Sequence, residues 1–111
     1  MGLAWESVRW RDGSVYEGTA VDGKAQGRGT LRYANGDKYE GQFASNYQHG
    51  FGAYVWKDGT VYRGQWALGE MRGCGVRISK GHGGGFDVEE GYFHNGDHVG
   101  ELWGCSVRAA R

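Results

Sequence analysis

From Tyr39 to Gly59 the chain reads YEGQFASNYQHGFGAYVWKDG, with large apolar residues alternating with polar ones and glycine at 41, 50, 52 and 59. Alternation at period two predicts half-buried strands. Glycine inside a strand costs backbone entropy and adds no packing surface, so its placement calls for a structural reason. The pattern recurs. Tyr16-Glu17-Gly18, Tyr39-Glu40-Gly41 and Tyr62-Arg63-Gly64 are spaced 23 residues apart, and so are the pairs Gly27/Gly29, Gly50/Gly52 and Gly73/Gly75. The turn dipeptides Asp12-Gly13, Asn35-Gly36 and Asp58-Gly59 keep the same interval. Three features with one period define an internal repeat. Each unit is predicted as a strand (39–43), a loop (ASNYQHG), a second strand (51–56) and a turn (KDG), which on repetition gives an antiparallel meander.

Side chains at i, i+2 and i+4 of a strand share a face. Tyr39, Gly41 and Phe43 therefore point one way, together with Gly50, Gly52, Tyr54 and Trp56 on the next strand and Tyr62, Gly64 and Trp66 on the one after. With rings and glycines on one face, a ring from one strand is expected to lie over the bare backbone of its neighbour's glycine. Aromatic side chains each offer ~150–250 Å², enough for one sheet to bury surface against itself and to offset ~0.5–1 kcal/mol per glycine. The expected fold is all-β: an elongated single-layer antiparallel meander of about four hairpin repeats in one domain. Its predicted parts are a half repeat 4–13, repeats 14–36, 37–59 and 60–81, an insertion 82–88, a degenerate repeat 89–104 and a C-terminal tail 105–111.

Composition agrees with a thin architecture. The chain has 111 residues, 39% of them hydrophobic, and a mean hydropathy of −0.67, too little apolar material for a thick core. Thirteen basic and thirteen acidic residues cancel, so no bulk field favours nucleic acid, and none is expected as a partner. No run approaches the length of a membrane-spanning helix, and MGLAWESVRW lacks a signal peptide's apolar centre. The chain reads as soluble. Cys74 and Cys105 form no disulfide framework and are expected as two reduced thiols in an intracellular, reducing compartment.

Catalytic chemistry finds no foothold. There is no Gly-X-Ser-X-Gly, no phosphate-binding glycine loop ending in Lys-Ser/Thr, and no His-Glu-X-X-His. The run GHGGG at 81–85 has no nucleophile elbow downstream and reads as a flexible insertion. His94, Asp97 and His98 surround a turn signal, Asn95-Gly96, and fall short of the three or four convergent ligands a metal needs. Glu89 and Glu90 are neighbours in a strand and face opposite sides. No catalytic residue, metal or cofactor is expected.

Surfaces offer more. The aromatic face carries Trp10, Tyr16, Tyr33, Tyr39, Phe43, Tyr54, Trp56, Tyr62 and Trp66. These rings fill the sheet's own concave side, or present a shallow groove to an extended peptide or a helix. The opposite face begins as a solvated surface of Glu17, Arg28, Thr30, Arg32, Lys38 and Glu40, then turns apolar with Phe51, Ala53, Val55, Val61, Cys74, Val76 and Ile78. An apolar patch of Phe51, Val55, Val61, Val76 and Ile78 needs a cover. Either the tail, with Val99, Leu102, Trp103 and Val107, folds over it or another protein does. Both sheet edges are further candidates for pairing, with a partner or as a homo-oligomer. The N-terminal strand, Trp5 to Trp10, is expected to add to a partner or a second copy, while Ser106 and the alanines and arginines after it suggest a short helix or tail over the last strand.

The unit YEGQF…HGFGAYVWKDG resembles the MORN repeat (membrane occupation and recognition nexus), a tyrosine-X-glycine strand followed by a glycine-X-glycine strand and an aspartate-glycine turn. Three copies are clear between Tyr16 and about Gly81. Val8, Trp10 and Asp12-Gly13 match the second half of another copy, with Ala4 and Glu6 where glycines belong. Glu90-Gly91, Phe93, Gly96 and Gly100 match a fourth start. The resemblance implies a non-catalytic scaffold that binds a protein partner through its glycine-aromatic face, its apolar patch or a strand edge. The family name implies the alternative of a peripheral module binding acidic phospholipids, against which zero net charge and the lack of a basic cluster in sequence both speak. WESVRWRDGSVYEG and GCSVRAAR also look like the MORN segment of plastid envelope proteins in the green lineage, which implies a plastid location.

Overall fold

The computed structural model of the chain describes residues 2–100 and Cys105. Nine strands follow one another: β1 (Ala4–Arg9), β2 (Val15–Val21), β3 (Lys24–Arg32), β4 (Lys38–Ala44), β5 (Tyr47–Val55), β6 (Val61–Ala67), β7 (Glu70–Lys80), β8 (Phe86–His94) and β9 (Asp97–Gly100). Each pairs antiparallel with its predecessor, so sheet order equals chain order. The expected meander is what forms: an open sheet with extents of 45 × 32 × 22 Å and, among the described residues, no α-helix.

Register explains the glycines. Gly18, Gly29, Gly41, Gly52, Gly64, Gly75 and Gly91 are successive Cα partners and form one row across β2 to β8. On the aromatic face Tyr16 lies over Gly29, Tyr39 over Gly52 and Tyr62 over Gly75, where a Cβ on Gly75 would come within 2.5 Å of the Tyr62 ring. The phenols donate to the carbonyls of Thr19, Gln42 and Gln65 at 2.6, 2.7 and 2.9 Å. Each tyrosine thus fills a glycine socket and satisfies its buried hydroxyl. The rings continue one another edge to face. Tyr16 meets Phe43 at 5.0 Å, Phe43 meets Tyr39 at 5.1 Å, Tyr39 meets Trp66 at 5.0 Å, Trp66 meets Tyr62 at 5.6 Å and Tyr62 meets Phe93 at 4.9 Å. This ladder, one ring thick, is the core.

Two turn designs alternate. Asp12-Gly13, Asn35-Gly36 and Asp58-Gly59 sit in three-residue loops. Only the glycine has positive φ (94°, 102° and 96°), and the side-chain Oδ1 of the Asp or Asn accepts a hydrogen bond from the backbone amide two residues on at 2.8–3.0 Å. The other ends close in two-residue turns with positive φ at both positions: Asp22-Gly23, Ser45-Asn46, Leu68-Gly69 and Asn95-Gly96. The segment ASNYQHG is therefore no loop. Its Ser45-Asn46 turn lets β4 run to Ala44 and β5 start at Tyr47. The sequence hides this because Gly50, taken as a second socket, instead marks a bulge. Gly50 has φ 76°, and the Gln42 side chain fills the space where its Cβ would be, accepting the Phe51 amide at 2.7 Å. Gln65 does the same for Cys74 at 2.6 Å.

Three of the seven residues of the expected insertion, Phe86, Asp87 and Val88, are ladder. Lys80 pairs with Phe86 and Ser79 with Asp87, so β7 and β8 extend past the repeat length and close through a short loop in which the Gly81 amide donates to the Gly85 carbonyl at 2.8 Å. Phe86, Asp87 and Val88 belong to β8. The cysteines also depart from expectation. Cys74 and Cys105 form a disulfide with Cα atoms 5.1 Å apart, so the reading as two reduced thiols is corrected: a separation of 31 residues concealed a spatial pair. Leu102, Trp103, Ser106 and Val107, on which a covering tail was expected to depend, lie outside the described residues.

Candidate interaction surfaces

The nine aromatic-face candidates divide by burial. Tyr16, Tyr39, Phe43 and Tyr62 are 0–3% exposed, so they are core and offer a partner almost nothing. Trp10, Tyr33, Tyr54 and Trp56 pack against that core while remaining partly open. Trp10 stacks on Tyr16 at 6.1 Å. The other three join Trp66, whose indole N–H donates to the Gly52 carbonyl at 3.2 Å, as the aromatic wall of a groove. Tyr33 and Tyr54 centroids are 5.5 Å apart, and Tyr54 and Trp56 are 4.8 Å apart. Gln48, Glu70 and Met71 complete the groove, which holds about 340 Å³. That is the low end for ligand sites, with room for one or two side chains of a peptide.

Polar anchors fix these rings. Asp37, buried beside the turn, accepts from the Tyr54 hydroxyl at 2.6 Å and from the Lys57 amide at 2.8 Å, and the Gln48 amide donates to the Tyr33 hydroxyl. Burial pushes the Tyr33 phenol up to about 12, helped by the Asp37 charge. Burial and then the Asp37 hydrogen bond raise Tyr54 as well. Both hydroxyls therefore stay protonated at neutral pH. Sequence reasoning passed over Asp37, Gln48 and Met71. Their signal was the period itself: Asp37 occupies the place of Ser14 and Thr60, and Gln48 and Met71 that of Ala25.

The outer face is ordered by register into cross-strand rows. One row runs Arg9, Val15, Arg32, Lys38, Val55, Val61, Ile78 and Val88, each the Cα partner of the next. A second runs Ser7, Glu17, Thr30, Glu40, Ala53, Arg63, Val76 and Glu90. Val55, Val61 and Ile78 of the predicted patch are thus direct neighbours, Val76 lies in the next row, and Phe51, 61% exposed, stands on the other side of the glycine row. Phe86 and Val88, exposed by 73% and 59%, extend the patch. They were missed because they fell in the supposed insertion. Arg9, Arg32 and Lys38 form a basic end that is scattered in sequence.

In the last unit Glu89 takes the place of the socket tyrosine, and Arg77 that of Tyr54. Arg77 donates to Glu89 at 2.8 Å and to the Gly96 carbonyl at 2.7 Å, with its guanidinium 5.3 Å from the Phe93 centroid. The hydrogen bond from Arg77 holds the Glu89 carboxyl below its ordinary range. His98 directs Nε2 at the Glu90 carbonyl, 3.0 Å away. Among the described residues no three His, Cys, Asp or Glu side chains converge as metal ligands would.

A search of curated proteins finds no match. The MORN repeat model, however, matches three consecutive stretches, residues 16–38, 39–61 and 62–83. Each begins at a tyrosine that fills a glycine socket, and together they cover more than half of the chain. By sequence period, socket geometry and this match, the chain belongs to the MORN-repeat family.

Proposed function

We propose that this repeat scaffold is non-catalytic and binds a protein partner, receiving an extended segment of it in the groove of Tyr33, Tyr54, Trp56, Trp66 and Met71. The observation that carries the reading is the division of the rings. The core tyrosines are sealed, yet three rings beside them keep open faces, with Tyr54 anchored by Asp37, Tyr33 by Gln48, and Trp56 packed on Tyr54. Rigid aromatic surface that folding does not consume is what peptide recognition uses. Peptides selected from a random library on the folded chain should lose about tenfold or more in affinity on Tyr33→Ser or Trp56→Ser and keep it on Phe51→Ser. Selected peptides indifferent to the groove changes would sink the reading.

One observation favours a second reading, an acidic phospholipid surface. Arg9, Arg32 and Lys38 share a row that continues through half-buried Val55 and Val61 to exposed Ile78 and Val88, placing cations for headgroups on the same face as side chains for the interface. Sedimentation with phosphatidylserine vesicles at graded salt separates the two, because headgroup binding weakens with ionic strength and groove binding by rings does not.

A further inference from the structure

We infer that two copies of this chain associate by antiparallel pairing of β1 with β1 across a two-fold axis centred on Ser7, independently of what occupies the groove. Among the described residues β1 pairs with β2 alone. It runs six residues with no proline, lysine or bulge to blunt its edge, and it leaves Trp5 68% and Val8 38% exposed. The direction of its backbone groups follows from the adjoining turn. The Trp10 amide donates to the Ser14 carbonyl at 2.7 Å, and hydrogen-bonded pairs alternate along an antiparallel ladder. Ala4, Glu6 and Val8 therefore bond to β2, while the N–H and C=O groups of Trp5, Ser7 and Arg9 point to the free edge.

That parity restricts the register. Two such edges pair only if odd-numbered residues oppose odd-numbered residues. Centring on Glu6 would set two carboxylates face to face, and centring on Val8 would leave three strand residues overlapping. Centring on Ser7 overlaps residues 5 to 9, with Ser7 opposite Ser7 and Trp5 opposite Arg9 at both ends. Trp5 and Arg9 lie on the outer face of β1, and neither side chain forms an ion pair or hydrogen bond among the described residues. Each exposed indole of one copy thus meets a guanidinium of the other, a cation–π pair repeated by symmetry. The surface fits a second copy of itself better than a strand chosen at random.

Size-exclusion chromatography with light scattering on the intact chain over a range of concentrations should show a dimer. Ser7→Pro removes an edge donor while sparing the bonds to β2, and it should give a monomer with the parent's circular dichroism. Trp5→Arg, which opposes two cations, should raise the dimer dissociation constant by about tenfold or more, whereas Trp5→Glu, which offers Arg9 a carboxylate, should keep the dimer. Should Ser7→Pro fail to fold, the two Trp5 variants decide alone. A monomeric parent at all concentrations, a dimer that survives Ser7→Pro, or equal dimerisation by the Trp5 variants would each overturn the inference.

Discussion

Residue by residue, the glycines carry the specificity of this fold. At Gly52 a β-branched side chain, which ordinarily favours strands, would enter the space of the Tyr39 ring, and that ring is 0% exposed and bonded to the Gln42 carbonyl. Neither ring nor backbone can yield without breaking the ladder. Gly52→Val is expected to cost about 2–3 kcal/mol. Phe51→Ser, one position away on the outer face, should stay within about 0.5 kcal/mol. Urea unfolding of both variants checks the contrast, and a Gly52→Val protein as stable as the parent would refute the socket. The socket was legible in the sequence because Tyr-X-Gly and Gly-X-Gly alternate at strand period. The role of Gly50 was not, because positive φ at a bulge and an empty socket leave the same letter in the chain.

At the scale of elements, the turns with Asp-Gly or Asn-Gly before a strand were readable, and the opposite turns were read only in part. Ser45-Asn46 carries no glycine, so a two-residue turn looked like part of a longer loop. Leu68-Gly69 is more deceptive still. Leu68 has φ 50° and is 72% exposed, a branched residue in a conformation that asparagine, aspartate or glycine adopts more readily. The hairpin of β6 and β7 forms in spite of its turn, driven by Trp66 and Met71 packing on the core. Leu68→Asn should therefore stabilise the chain by about 1 kcal/mol and remove an exposed apolar side chain. Chemical denaturation measures it, and an unchanged or lowered midpoint would mean that Leu68 contributes packing its exposure does not show. The outer patch was legible for a similar reason and incomplete for another. Val55, Val61 and Ile78 alternate within regular repeats, but Phe86 and Val88 follow a glycine run that reads as a break.

At the scale of the whole molecule, the ring ladder makes the repeats one cooperative unit, because every socket tyrosine touches a ring that belongs to the neighbouring hairpin. The ladder also sets a limit at high pH. Burial pushes the Tyr33 and Tyr62 phenols up to about 12 and raises Tyr16, Tyr39 and Tyr54 too, against an ordinary value of 10.0 in the unfolded chain. A group whose folded pKa is raised gives stability that is complete below its unfolded pKa and is lost as pH rises through the folded one. The phenols therefore leave stability untouched up to about pH 10; Tyr33 and Tyr62 then withdraw it as pH rises from 10 to about 12, since an ionised phenol is costly to keep among packed rings. Alkaline titration followed in parallel by circular dichroism and by the near-ultraviolet phenolate band should show one steep transition in that window, with ionisation of the buried tyrosines and loss of the sheet coinciding. Tyr39→Phe, which keeps the ring and removes an ionisable hydroxyl, should move the transition upward relative to its own neutral stability. Phenolate formation spread smoothly around pH 10 with the sheet intact, or two separate unfolding steps, would show that the rings do not form the continuous sealed core described above.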